Sequence, residues 1–203
     1  DEVQVWSNYS IVSNDERKRM ACAPRDILIE QAQSVPSVNF DLQKTNGQQI
    51  DIRFSHAVKV LFFAARNTTV KSVRSDYTTN ALKCDGFTYR GGCDPIKSTS
   101  LIYENTSRLS GMGSDYYSLV NPYYHAVSIP ACTGYHSYSY SLDFDALDPM
   151  GSTNYGKLTN VSIIPVPSSS ALNTTGQSYE FLCTCVNNNI IRVSGGALGF
   201  PVL

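Results

Sequence analysis

Apolar and polar residues alternate along much of the chain with a period of two, the spacing of a strand that buries one face and wets the other. Ile50, Ile52 and Phe54 alternate with Asp51 and Arg53; Tyr138, Tyr140, Leu142 and Phe144 alternate with Ser and Asp; Val161 and Ile163 alternate with Asn160 and Ser162. Patterns of this kind predict strands over 27–33, 50–54, 58–65, 98–103, 123–129, 137–144, 158–166, 179–186 and 190–193. The stretch from Val58 to Ala65 is apolar on both faces, so its strand is expected deep in a sandwich. Val3, Val5 and Tyr9 give a further strand pattern at the start of the chain. Helical signals are few. Ser13 stands three residues before Glu16, a capping-box spacing that predicts a short polar helix over 15–20, a connector without an apolar face. Ser114 to Val120 predicts a helical turn stopped by Asn121-Pro122.

Between these elements the chain is punctuated by turn chemistry. Asp148 to Ile163 is the most informative stretch: Pro149, Gly151 and Gly156 shape a polar turn that leads directly into the strand carrying Val161 and Ile163. It reads as architecture, with no reaction in it. The polar region 67–97, broken by Gly86, Gly91, Gly92 and Pro95, is a long loop of the kind that is exposed and functional or mobile. The end of the chain, Gly195 to Leu203, carries Leu198, Phe200 and a final Val-Leu; it reads either as an apolar strap on the same or a neighbouring subunit or as a frayed tail.

Composition agrees with a β domain. With 203 residues, 13 Tyr, 8 Phe and only 16% charged residues, the chain has the length and side chains for one sizeable sandwich core. Periodicity alone takes the fold class to an all-β, antiparallel sandwich with few short helices and long loops. The formal net charge of −1 gives no basic field for nucleic acid. No apolar stretch approaches the roughly 20 residues of a spanning helix. The chain opens at Asp1, without an initiator Met and inside a strand pattern, as expected of a piece of a longer protein; a signal peptide could have been lost with the rest.

Candidate chemistry is sparse, and the expectation is that there are no catalytic, cofactor-binding or metal-binding residues. His56, His125 and His136 stand at no ligand spacing and read as hydrogen-bonding residues near strand ends. Asp143, Asp145 and Asp148 form an acidic cluster that reads as a solvated turn, with a calcium site as the alternative. No nucleophile elbow or phosphate-binding glycine loop occurs. Of the six cysteines, Cys183 and Cys185 lie on one face of a strand as small buried apolar residues, and Cys84 and Cys93 flank a turn they could close. Sequons at Asn8, Asn67, Asn105, Asn160 and Asn173 offer glycan sites if the chain is extracellular.

Six segments taken in order carry a resemblance. They are Ser13-Asn-Asp-Glu-Arg-Lys-Arg-Met20, Arg25-Asp-Ile-Leu-Ile-Glu-Gln-Ala-Gln33, Arg53-Phe-Ser-His-Ala-Val-Lys59, Met112 to Tyr124, Asp148 to Ile163, and Asn189 to Leu203. Together they closely resemble the C-terminal part of the major capsid proteins of iridoviruses, members of the double jelly-roll capsid family of large nucleocytoplasmic DNA viruses. The resemblance covers nearly the whole chain and is weakest over 34–49, 70–97 and 166–178. It implies an eight-stranded jelly roll, the second of two: residues 1–24 are then the end of the first roll and its connector, and residues 25–203 the second roll. It also implies a structural, non-enzymatic protein of the virion, assembled in host cytoplasm with free thiols, and forming pseudo-hexagonal homotrimers that tile an icosahedral shell. Implied partners are other copies of itself within and between capsomers and minor capsid proteins, with a lipid layer nearby but not entered and no direct contact with nucleic acid. The loop 67–97 becomes a candidate exposed tower. Two other readings stand beside it: an extracellular carbohydrate-binding β-sandwich, which would use the tyrosines and sequons, and a cupin-like metalloenzyme, which would need more converging ligands than three scattered histidines supply.

Overall fold

The computed structural model describes residues 3–79, 92–195 and 197–200. Two antiparallel sheets account for most of the regular structure. The first contains β1 (Arg25–Ser34), β4 (Ala57–Asn67), β7 (His136–Ser139) and β10 (Tyr179–Ser194) in the order β1-β10-β4-β7, extended by the short β2 (Val38–Phe40), β8 (Thr153–Asn154) and β11 (Ala197–Gly199). The second contains β3 (Ile50–Asp51), β5 (Ile96–Tyr103), β6 (Thr106–Gly113) and β9 (Val161–Pro167) in the order β3-β9-β5-β6. Numbered along the chain, the eight principal strands fall as first, eighth, third and sixth in one sheet and second, seventh, fourth and fifth in the other. That nesting of antiparallel partners is the jelly roll.

The chain divides into two compact units, Asp1–Ile29 with Asn189–Leu203, and Glu30–Asn188. In the smaller unit, α1 (Asn14–Cys22) starts where expected: the Ser13 hydroxyl accepts from the Glu16 amide at 3.3 Å. The helix buries none of its residues, as its polarity requires. Gly195, at φ +59°, turns the chain so that β11 pairs back on β10 with Ser194 opposite Ala197. The segment thus pairs on its own chain, but Leu198 and Phe200, the side chains expected to pack, stay 67% and 52% exposed; residues 201–203 lie outside the described residues. Arg192 clasps Asp26 with two 2.7 Å bonds, which hold the Asp26 carboxyl below its ordinary range. The strand expected near Val3, Val5 and Tyr9 is absent: residues 3–13 join neither sheet and are exposed throughout.

In the larger unit the inward faces of both sheets meet in one core. Val58, Leu61, Phe63, Ala65, Phe181, Cys183 and Cys185 come from the first sheet, Ile50, Ile96, Leu101, Val161 and Ile163 from the second. Phe63 is its hub, edge-on to Tyr117 at 5.1 Å and stacked on His136 at 5.2 Å. A chain of tyrosine hydroxyls runs through the same core: Tyr103 bonds Tyr140, and Tyr140 bonds Tyr155 at 2.8 Å. Burial drives the Tyr140 and Tyr155 phenols well above their ordinary pKa, so the chain stays neutral. The deep placement expected for 58–65 is observed, because β4 sits between β10 and β7.

Several expected elements differ. The strand expected over 123–129 is not formed; a π-helical turn at Tyr116–Val120 leads into α2 (Asn121–His125). The Asn121 amide reaches back five residues to the Tyr116 carbonyl, and the widened turn admits Pro122, which has no amide to offer. The helical turn therefore does not stop at Asn121-Pro122 but passes through it. The strand expected over 137–144 ends at Ser139, and its serine side is not wet: Ser137, Ser139 and Ser141 are buried, with the Ser139 amide bonded to Asn121 Oδ1 at 3.0 Å. The segments 179–186 and 190–193 form one strand, β10, continuous through a bulge at Val186/Asn187. The hairpin strand β6, the short β2 and the helix α3 (Ser169–Asn173) were not expected from the pattern.

Candidate assembly surface

The strand β4 is apolar on both sides, and its second side has to be covered by something. Phe62 and Ala64 point away from the core, beside Leu182 and Thr184 of β10 and Ser137 of β7, as the register Phe62 to Thr184, Ala64 to Leu182 and Phe62 to Ser137 dictates. Over this outer face lie α2, the segment 126–135 and the turn after β7. Phe144 stands edge-on to Phe62 at 5.7 Å, and Tyr77 and Tyr135 face each other at 4.9 Å. Between sheet and cover is a groove of about 390 Å³ whose walls include Phe62, Leu182, Pro122, Pro130, Tyr135 and Phe144. Burial and the neighbouring Tyr77 raise the Tyr135 phenol above its ordinary pKa, so it stays uncharged.

The cover is itself apolar on its far side. Tyr123, Tyr124, Val127, Leu142 and Leu147 are each more than two-thirds exposed. The turn and the helix are tied together, because the Phe144 amide donates to the His125 carbonyl at 3.1 Å and His125 Nδ1 meets the Leu142 carbonyl at 3.0 Å. Large apolar side chains exposed on segments tied together in this way mark a contact surface rather than a reaction centre. Nothing in the alternation of 58–65 names the groove residues. The signal that could have found them is the unbroken run Val60-Leu-Phe-Phe-Ala-Ala65, since a strand apolar on both faces needs cover on both.

The candidate residues for chemistry are scattered. His56 adopts φ 63° and uses its carbonyl to accept from the Tyr155 amide at 3.0 Å. His136 is buried and meets Asp94 Oδ2 at 2.7 Å, so the three histidines have different hydrogen-bond partners. Asp143 accepts from the amides of Asp145 and Ala146 at 2.9 and 3.3 Å, within its own turn, and Asp145 accepts from that of Val127 at 2.8 Å, tying the turn to the segment after α2. Among the described residues, no group of three or more His, Cys, Asp or Glu could hold a metal ion. Cys183 and Cys185 are buried side by side as expected; burial pushes the Cys185 thiol up to about 11 and Cys183 higher. Cys93 is a free, exposed thiol, and Cys84 lies outside the described residues. Of the sequon asparagines, Asn8, Asn105, Asn160 and Asn173 are exposed, whereas Asn67 is buried with its side chain bonded to the Thr78 carbonyl at 3.0 Å.

Comparison with known proteins places the chain among viral shell proteins. The family described as large eukaryotic DNA virus major capsid protein matches residues 16–199. The chain is 57% identical to the major capsid protein of Invertebrate iridescent virus 3, covering 99% of the chain and 46% of that protein. It is 56% identical to that of Costelytra zealandica iridescent virus, covering 99% and 47%, and 41% identical to that of Frog virus 3, covering 100% and 47%. The chain thus spans about half the length of the curated relatives it matches. Among solved structures, a capsid model of PBCV-1 virus superposes with a TM-score of 0.76 at 18% identity, over 95% of this chain and 55% of that one. The Faustovirus major capsid protein gives 0.62 at 10% identity, over 91% and 36%.

Proposed function

The chain belongs to the family of large eukaryotic DNA virus major capsid proteins, and from that membership we propose that it is the second jelly roll of a subunit that builds an icosahedral virion shell. Its place is the capsid, its role structural rather than catalytic. On this reading residues 1–24 are the end of a first roll and its connector, and residues 25–203 the second roll. The state of the first residues supports it: Val3, Val5 and Tyr9 keep strand patterning yet are almost fully exposed, as a strand would be whose own sheet is elsewhere. The relatives' length, about twice that of the chain, leaves room for such a sheet.

Two similar rolls per subunit and three subunits per capsomer give six comparable wedges, so a threefold object can tile a nearly hexagonal lattice. Copies of the same subunit are then the main partners, within and between capsomers, and the apolar cover formed by α2 and 142–147 is the surface offered to them. Minor capsid proteins and an underlying lipid layer are further neighbours. No nucleic-acid contact is part of the reading, in keeping with a net charge of −1. Light scattering and electron microscopy on the full-length protein containing this chain test it. Stable trimers with a pseudo-hexagonal outline are expected; a well-behaved monomer overturns the reading.

A further inference from the structure

We propose that the start of the connection from β4 to β5 is an oxyanion site, shaped for a sulfate or phosphate ester group. A cavity of about 310 Å³ opens there, with Arg66, Thr68, Lys71 and Arg74 in its walls. Three cationic side chains around one small cavity are unusual in a chain whose charges nearly cancel. Arg66, at the end of β4, is held in place by an ion pair with Glu180 of β10. Among the described residues, neither Lys71 nor Arg74 has a carboxylate within ion-pairing distance. The nearest acid in sequence, Asp76, is buried and turned to the Thr78 amide and hydroxyl at 2.9 and 2.8 Å. The balance at the rim is therefore positive.

The frame that carries these cations is fixed from several sides. The buried Asn67 side chain donates to the Thr78 carbonyl at 3.0 Å and accepts from the Thr69 amide and hydroxyl at 3.0 and 2.6 Å. The Thr68 amide donates to the Ser178 carbonyl at 2.8 Å, and the Val73 amide closes a turn on the Val70 carbonyl at 3.1 Å. An oxyanion entering the cavity meets a planar fork from Arg66, already positioned, and two further cations on a pinned turn, so little ordering is left to oppose binding. Nucleic acid is a poor match, since it calls for a continuous basic track and the cavity holds three cations in a chain of net charge −1. The ester of one sulfated sugar fits a single small cavity; inorganic phosphate shares the chemistry.

Calorimetric titration of the full-length protein in phosphate-free buffer at low salt tests it, with inorganic phosphate and a sulfated disaccharide as separate probes. Saturable binding is expected, weakened about tenfold or more by Lys71→Ala with Arg74→Ala and unchanged by Lys44→Ala, an exposed lysine elsewhere. Both altered side chains are exposed, so the double variant should melt with the parent; Lys71→Gln alone, expected to weaken binding by a smaller factor, serves as the second variant. Binding of both probes supports the site with a sulfated glycan as source, and binding of phosphate alone supports it with the free anion as source. No binding of either probe, or equal weakening by Lys44→Ala, overturns the proposal.

Discussion

Phe62 and Phe63 are neighbours in sequence on opposite faces of β4, so truncating each in turn measures what each face contributes. Phe63 is 3% exposed and touches Tyr117, His136 and Phe181, with ring centres 5.1, 5.2 and 6.1 Å away. Phe63→Ala removes that burial and leaves a cavity walled by β7, β10 and the π turn, a loss of about 3–5 kcal/mol. Phe62 is 37% exposed and has one aromatic partner, Phe144. Phe62→Ala should cost about 1–2 kcal/mol, from partial burial and one edge-on contact. Urea unfolding followed by far-UV circular dichroism gives both values from midpoints, provided the slope is unchanged. A domain of this kind holds about 5–15 kcal/mol in all, so Phe63→Ala should shift the midpoint visibly. Equal losses for the two variants would refute the assignment of the core to the Phe63 side.

Gly134 has φ +94°, and a Cβ there would lie 2.1 Å from the Tyr77 carbonyl oxygen; Gly134→Ala should cost more than about 2 kcal/mol, against about 1 for Gly176→Ala, which has φ +78° and open space. Thermal melts of the two variants compare them directly, and the reverse order would show that the 134 turn is not packed as described. The buried thiols give a pH prediction. Cys185 titrates at about 11 when folded but near 8.5 when unfolded, so above about pH 8.5 the unfolded chain releases a proton that the folded one retains. Stability is therefore fully present below that point and falls as pH rises towards 11, with the buried Tyr140 and Tyr155 adding to the loss at higher pH. A urea midpoint that rises across this window contradicts the burial; so does alkylation of Cys183 and Cys185 as fast as of the exposed Cys22, Cys93 and Cys132.

Much of the sandwich was legible because its strands follow a period of two wherever one face is buried and the other is not. Val161 and Ile163 are buried and Asn160 exposed, as their spacing requires, whereas Ser162, expected on the wet face, is buried and donates to Asp51 Oδ1 at 2.7 Å. The misses have local causes. β6 carries two glycines and a polar face, and register shifts at Thr99/Leu101 and Leu101/Ile102 break the alternation that would have announced its hairpin. Its turn is made by Glu104 and Asn105 at φ 47° and 63°, without a glycine to mark it. Tyr123 and Tyr124 look like strand residues by propensity, yet the π turn and the packing of Asn121 against β7 decide for helix. The assembly surface was the least legible part, because a strand apolar on both faces says that a cover exists without saying which loop supplies it.

The position of β10 sets a timetable for the chain. It is the last of the eight principal strands to be synthesised, yet it lies in the interior of its sheet, between β1 and β4. Until Tyr179 to Ser194 have left the ribosome, β1 and β4 have no shared neighbour and the first sheet has a gap through its middle. Pairings between such distant parts of a chain close slowly, and the unfinished sheet presents open edges while it waits. The first sheet therefore closes only after the chain has passed β10, and until then the facing edges of β1 and β4 stay open to pairing with other strands.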